Sequence, residues 1–411
     1  MQFFMLFSAL ITLAAVFSYF NVRFLKLPSG ISLMLMGVIV SVGLISTGIL
    51  SSSFTSSIKE SLAELDFSKF ILGILLSFLL FAGSLHVHWA HMKSSAKSIF
   101  SFATLGTLMS TGIIGTAIYY LFLAFNMNVP YIECLLFGSL ISPTDPIAVM
   151  GIISKENLSK SIEIKIIGES LFNDGIGVVV FVTLLGIASR GIENITVGSI
   201  LLLFARETFG GILTGLVIGY IGFRMMKSID DFPAEILISL AMVMGGYALC
   251  NLIHVSGPLA MVVAGLITGN KGKKEAMSDI TMDYLEKFWE VIDHILNAIL
   301  FMLIGLEIVI VVFRMDYFWI GLTTAILLVG ARYISLLIPS YMFGIKKTLE
   351  KHTLAIMSWG GLRGGISIAL ALSLPSTAHK DIFVPITFII VLFSIMVQGL
   401  SMGRFIRYLR K

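Results

Sequence analysis

The chain has 411 residues, 57% of them hydrophobic and 13% charged, with a mean hydropathy of +0.98. A soluble domain carries about 25% charged residues and about 45–50% apolar ones, so a water-soluble fold is excluded and the solvent must be lipid. The formal charge of +4 says little about partners, and no phosphate loop, nucleotide fingerprint or hydrolase constellation stands out.

Apolar runs of about 20 residues, each able to cross a hydrocarbon core of about 30 Å as helix, recur from end to end. A transmembrane β-barrel would show short segments of alternating polarity instead. The predicted fold class is therefore all-α integral membrane, with about 13 transmembrane helices. They run roughly 3–21, 31–50, 70–86, 99–125, 131–153, 162–188, 207–226, 235–254, 256–270, 288–312, 317–342, 353–374 and 383–403. The first follows no basic n-region and reads as a helix rather than a cleaved signal. The ninth is short enough to be re-entrant. Cys134 and Cys250 lie inside apolar runs, which suggests neither a disulfide framework nor a metal cluster. No cytosolic regulatory domain is expected.

Lys and Arg divide twenty to five between alternate loops. The rich side includes Arg23, Lys93, Lys155, Arg224, Lys271, Lys346 and Arg404; the poor side holds Lys59, Lys69, Arg190, Arg314 and Lys380. The positive-inside rule then puts the C-terminus in the cytoplasm of a multi-pass cell-membrane protein and, with an odd span count, the N-terminus outside.

Two spans are interrupted at mid-depth. The fifth contains Ser142-Pro143-Thr144-Asp145-Pro146 and the twelfth Gly360-Gly361-Leu362-Arg363-Gly364-Gly365. Proline removes a backbone donor and paired glycines loosen a helix. Such breaks are tolerated in lipid only where protein or a water-filled cavity satisfies the freed backbone, and matching breaks in two halves point to a transporter's binding site. Seven spans separate them, which predicts two inverted six-helix repeats, spans 1–6 and 8–13, joined by span 7.

Charges buried in a membrane are functional hypotheses by default; here they are Asp145, Glu169, Asp174 and Arg363. On a helix Glu169 lies four residues from Asn173, and Ser170 four from Asp174, so the four share a face. Asn-Asp-Gly is also a turn signal, but a turn there would break the alternation of loop charges. Asp145 followed by Pro146 reads as the start of a half-helix at mid-membrane, with the Thr144 hydroxyl left to face a cation. Arg363 needs a carboxylate, and Glu169 and Asp145 are the expected partners. Asp174 is then left without a fixed cation, and taking it out of water favours its neutral form. Such a group can trade a proton for Na⁺, since either neutralises it. One carboxylate beside neutral Asn173 predicts electroneutral one-for-one exchange.

Other polar residues are discounted. His86, His88 and His91 fit no metal spacing and read as a solvated loop. Glu307 and Arg332 are expected to pair between helices, Glu133 and Glu207 to be interfacial. Lys271 to Lys287 reads as a charged cytoplasmic connector, an amphipathic helix on the membrane surface.

At these residues the chain resembles the cation:proton antiporter-1 family, which includes NhaP-type antiporters and animal sodium/hydrogen exchangers. The resemblance rests on the two broken segments together with Glu169-Ser170-Leu171-Phe172-Asn173-Asp174-Gly175, His254-Val255-Ser256-Gly257-Pro258-Leu259-Ala260 and Leu303-Ile304-Gly305-Leu306-Glu307. It implies an NhaA-like antiporter fold and a homodimer, with a six-helix core (spans 4–6 and 11–13) moving against a scaffold. The scaffold and dimerisation helices would then begin in 1–95 and continue in 191–315, and the core would comprise 96–190 and 316–411. It also implies that Asp174, Asn173, Thr144, Ser170 and Asp145 bind cation and proton, the metal being a monovalent cation at Asp174, Thr144 and Ser170. Glu169 and Arg363 would form the supporting ion pair. Where many prokaryotic relatives have a glutamate in the third span, this chain reads Leu80-Phe81-Ala82-Gly83-Ser84, so no carboxylate role carries over there. The expected partners are Na⁺, Li⁺ or K⁺, protons and the lipid bilayer, with no cofactor, enzymatic reaction or nucleic acid. A cation channel of related architecture and a sodium-coupled solute symporter are the rival readings.

Overall fold

A computed structural model of the protein describes residues 2–46, 75–145, 153, 156, 158–190, 196–307, 314–375 and 377–410. These residues form helices joined by short links. In chain order they are α1 (Gln2–Phe20), α2 (Ser29–Ser46), α3 (Leu76–Leu85), α4 (Trp89–Ser101), α5 (Thr107–Ala124), α6 (Tyr131–Ile141), α7 (Lys160–Arg190) and α8 (Val197–Met226). There follow α9 (Phe232–Ile253), α10 (Gly257–Ile267), α11 (Asp279–Glu307), α12 (Met315–Met342), α13 (Thr353–Trp359), α14 (Gly365–Leu372), α15 (Lys380–Phe393) and α16 (Leu400–Leu409). Among the described residues eight helices are long and apolar enough to cross a membrane, and Ser29–Gly43, Leu76–Leu85 and Tyr131–Ile141 are shorter apolar helices.

Three helices begin earlier than the sequence reading places them: nothing in the polar first turns of α4 and α11 stops a helix, and α8 opens on the apolar run 200–204. The expected loop around His86, His88 and His91 is helical from Trp89, whose backbone N–H is capped by Asn270 Oδ1 at 2.6 Å. A π-helical turn, Phe102–Gly106, carries α4 into α5. Thr196 caps α8 through a bond from Ser199 N (3.3 Å), ahead of the predicted start at 207. Much of the expected surface connector from Lys271 to Lys287 is also helix, since α11 starts at Asp279 and carries an i,i+4 pair between Asp283 and Lys287 (2.6 Å).

Packing follows two sets of contacts. In one, α5 lies against α6 and α12, α6 against α7, and α12 against α15; in the other, α2 lies against α11, α10 against α3 and α8, and α9 against α8. Small residues permit the tightest crossings, as expected where lipid supplies no hydrophobic drive between helices. A Cβ added to Gly305 would sit 2.8 Å from the Gly37 Cα, and Ser41 Oγ donates to the Gly305 carbonyl at 2.9 Å.

Both predicted breaks mark helix ends. After α6 the chain leaves the helix at Ser142 and has no regular structure to Asp145, while Pro146 and the expected second half-helix lie outside the described residues. Between α13 and α14, Gly360 to Gly364 are unwound. The two unwound segments meet: Asp145 N donates to the Leu362 carbonyl at 2.8 Å, and the Arg363 guanidinium donates to the carbonyls of Ser142 and Pro143. Gly364 is required by this approach, since a Cβ there would lie 2.2 Å from Asp145 Oδ2. Arg363 N donates to Ser394 Oγ (2.9 Å), in a second π-helical turn, Ser394–Gly399, that joins α15 to α16. Backbone groups freed by the breaks are thus satisfied by each other and by neighbouring side chains.

Candidate ion-binding site

Helix α7 is continuous for 31 residues, so Asn173-Asp174-Gly175 is helical and the turn reading falls. Glu169, Ser170, Asn173 and Asp174 are all buried. Three of them face the crossing. Asn173 Nδ2 donates to Thr144 Oγ1 (2.8 Å) and Glu169 Oε1 (2.7 Å), and Asn173 Oδ1 accepts from Thr144 N (3.3 Å). The hydroxyls of Thr144 and Ser170 share a hydrogen bond of 3.1 Å. Asn173 therefore fastens the unwound segment to α7, using both ends of its amide.

The supporting ion pair differs from expectation. Glu169 pairs not with Arg363 but with Arg332 of α12, which is 1% exposed and also donates to Thr144 Oγ1 at 3.4 Å. Arg363 is occupied at the crossing, where two carbonyl oxygens lie within reach of its guanidinium. The expected pairing of Arg332 with Glu307 falls on a side chain outside the described residues; Arg332 itself points to the site. Sequence reasoning missed Arg332 as a member of this cluster. Its depth within an apolar span was the available signal. Arg332 Nε and Nη1 have no hydrogen-bond partner among the described residues; they border a small cavity shared with Arg363, Gln398 and Ser358.

Asp174 differs from its neighbours. It is 5% exposed, and its Oδ1 has no hydrogen-bond partner among the described residues. With Asp145 it lines a cavity of about 270 Å³ between α3, α7, α11 and α14. Thr144, Ser170 and Asn173 lie behind it in the buried network rather than on the cavity wall. The five expected cation and proton ligands thus divide into two carboxylates on the cavity and three polar groups bonded to one another behind it. The remaining lining is mostly aliphatic, apart from His86, Asp293 and Asn297.

A second cavity, of about 260 Å³, lies at the opposite end of α10 and includes Glu207, Asn251, His254 and Tyr247, but neither Asp145 nor Asp174. The opposition of the two ends is fixed by α10. Its first residue follows the 254–256 link, and Asn270, just past its end, donates to Val87 O at 2.8 Å beside the mouth at His86. Glu207 is thus a cavity residue. Glu133 pairs with His379 at 2.6 Å.

The sodium/hydrogen exchanger transmembrane family model matches residues 10–408. The chain is 44% identical to the Na(+)/H(+) antiporter NhaP of Pseudomonas aeruginosa, over 97% of this chain and 95% of that protein. It is 34% identical to the Na(+)/H(+) antiporter NhaH of Halobacillus dabanensis, over 94% and 93% respectively. Its fold matches that of the sodium proton antiporter MjNhaP1 from Methanocaldococcus jannaschii with a TM-score of 0.77 at 19% identity, covering 100% of both chains. The two broken segments, the Asn-Asp pair on an unbroken helix and these likenesses agree: the chain is a multi-pass membrane protein of the sodium/hydrogen exchanger family.

Proposed function

We propose that the protein exchanges Na⁺, with Li⁺ and K⁺ as the other candidate ions, for H⁺ across the cell membrane, and that Asp174 binds cation and proton alternately. The observation that carries this reading is the Asp174 carboxylate, buried on a cavity with Oδ1 unpartnered among the described residues, while Arg332 pairs with Glu169 and Arg363 with the carbonyls of the crossing. Charge counting supports the stoichiometry. Asp145, Glu169 and Asp174 stand against Arg332 and Arg363, a deficit of one positive charge when all are ionised. One monovalent cation or one proton restores neutrality, so each half-cycle crosses the membrane uncharged. Exchange is then one-for-one and electroneutral. The cation meets Asp174 and Asp145 first, and Thr144 and Ser170 complete its shell when the hydroxyl network turns toward it.

Alternating access fits the two cavities better than a channel does, since the cavity at Glu207 and His254 does not include the site. In this reading the chain crosses the membrane 13 times as two inverted repeats, with a core of 96–190 and 316–411 moving against a homodimeric scaffold of 1–95 and 191–315. The contact sets around α5–α7 with α12–α15, and around α2, α3 and α8–α11, support that division. The mouth at His86 lies on the Lys-rich side with Lys93 and Lys271, which the positive-inside rule makes cytoplasmic.

Proton movement in proteoliposomes on addition of Na⁺, Li⁺ or K⁺ tests the function. Asp174→Asn is expected to lower exchange at least about a hundredfold (loss of a group the reaction cannot replace). Wild-type rates in that variant would remove Asp174 as the carrier.

A further inference from the structure

The cavity that reaches Asp174 has one polar feature between its mouth and its floor. On α11, Asp293 and Asn297 are four residues apart and both line the cavity, while Leu300, one turn further in, also lines it. Leu300 abuts the floor, because a Cβ on Gly365 would sit 2.2 Å from it, next to the Gly364 that touches Asp145. Helical rise puts Asp293 about 10 Å outside the level of Leu300 and Asn297 about 6 Å inside Asp293. The facing walls at these depths are Leu76, Leu79 and Leu80 of α3 and Ile167 and Leu171 of α7. A cation crossing them meets no other polar side chain among the cavity's described lining until Asp145 and Asp174.

The geometry of Asn297 strengthens the pattern. It is 7% exposed, and its Nδ2 donates to the Asp293 carbonyl at 2.9 Å. The donor end is therefore held by the helix, leaving the carbonyl Oδ1 for the cavity. A carboxylate followed one turn deeper by a fixed amide oxygen is a ladder of hard oxygen donors, the chemistry an alkali cation needs while it sheds water. At the foot of the ladder, Asp174 lines the same cavity, and its buried Oδ1 is unpartnered among the described residues. The charged neighbours of Asp293 are His294 and Glu290 on its own helix and His86 at the end of α3.

We propose that Asp293 and Asn297 form a staging site for a partly hydrated monovalent cation, which concentrates the ion on this face and hands it to Asp174. The proposal rests on the exchange reading above. A single negative charge between low-dielectric walls raises the local cation concentration, so its effect belongs to apparent affinity on one face rather than to maximal rate.

The test uses the full-length protein in right-side-out and everted membrane vesicles, with Na⁺-driven proton movement followed by a pH dye. In Asp293→Asn the apparent KM for Na⁺ offered on the His86 face is expected to rise about three- to tenfold. The KM on the other face and the maximal rate stay near wild type, the shift shrinks as choline chloride is raised, and Asp293→Glu restores the wild-type KM. Asn297→Leu should raise KM on the same face. An unchanged KM on the His86 face in Asp293→Asn overturns the proposal. So does an equal loss on both faces that Asp293→Glu fails to restore, which would mark a structural residue. Absence of exchange in the wild-type protein would instead remove the functional reading beneath it.

Discussion

Arg332 carries the sharpest consequence at the scale of single residues. Its guanidinium is the fixed countercharge of buried Glu169, and removing one partner of a buried pair leaves an uncompensated charge, at about 3–5 kcal/mol. Arg332→Gln is expected to lower the thermal midpoint in detergent by several degrees and to abolish exchange. The double variant Glu169→Gln/Arg332→Gln should recover much of the midpoint, because no lone charge remains, and a double-mutant cycle on unfolding measures that recovery. Helix geometry alone brings Glu169, Ser170, Asn173 and Asp174 to one face, so their grouping is legible from four-residue spacing. Which arginine meets Glu169 is not legible that way. It depends on the rotation of α12 about its own axis, and spacing within one helix says nothing about rotation of another. The same limit hid Asp293 and Asn297, whose spacing is plain but whose common cavity with Asp174 is made by α3 and α14.

At the scale of helices, glycine contacts separate structural from incidental positions. The α2–α11 crossing leaves no room at Gly305, where an added Cβ lies 2.8 Å from the opposing backbone. Gly305→Val is expected to destabilise by more than about 1–3 kcal/mol, the usual penalty of overpacking, since backbone cannot rotate away. Gly245 in α9 is the control: a Cβ there meets nothing within 4 Å, so Gly245→Ala should be neutral or stabilising by up to about 1 kcal/mol. Fluorescence-detected size exclusion after graded heating distinguishes the two. The sequence made both unwound stretches visible, because Pro143 and the glycine pairs around Arg363 are chemically explicit. It concealed the π-helical turns, among them Phe102–Gly106 and Ser394–Gly399. A π turn is one extra residue absorbed within a helix, which leaves hydropathy unchanged, although such turns recur at functional sites. Boundaries at Trp89, Val197 and Asp279 escaped for a related reason. Hydropathy reports where lipid ends, whereas the polar first turns of α4 and α11, which hold no proline or glycine, go on being helical in water; α8 instead starts at the Thr196 cap ahead of an apolar run.

For the molecule as a whole, composition sufficed to name lipid as the solvent, while the charge bias of the loops carries the proposed orientation. The path from solvent to site was beyond both, since it arises from gaps between helices distant in sequence. The deficit of one positive charge among Asp145, Glu169, Asp174, Arg332 and Arg363 leads to a measurement on the intact system. Exchange rates should be the same with the membrane potential clamped at zero by K⁺ and valinomycin as without the clamp; a rate that follows the imposed potential would refute one-for-one exchange. Under the proposed one-for-one exchange, that single missing charge also fixes what the protein can achieve for a cell. With voltage absent from the balance, transport stops when the cation ratio across the membrane equals the proton ratio. A difference of one pH unit, worth about 1.36 kcal/mol, then holds about a tenfold cation ratio and no more. An organism relying on it for salt tolerance must keep its cytoplasm more alkaline than its surroundings, or add a second, voltage-driven pump.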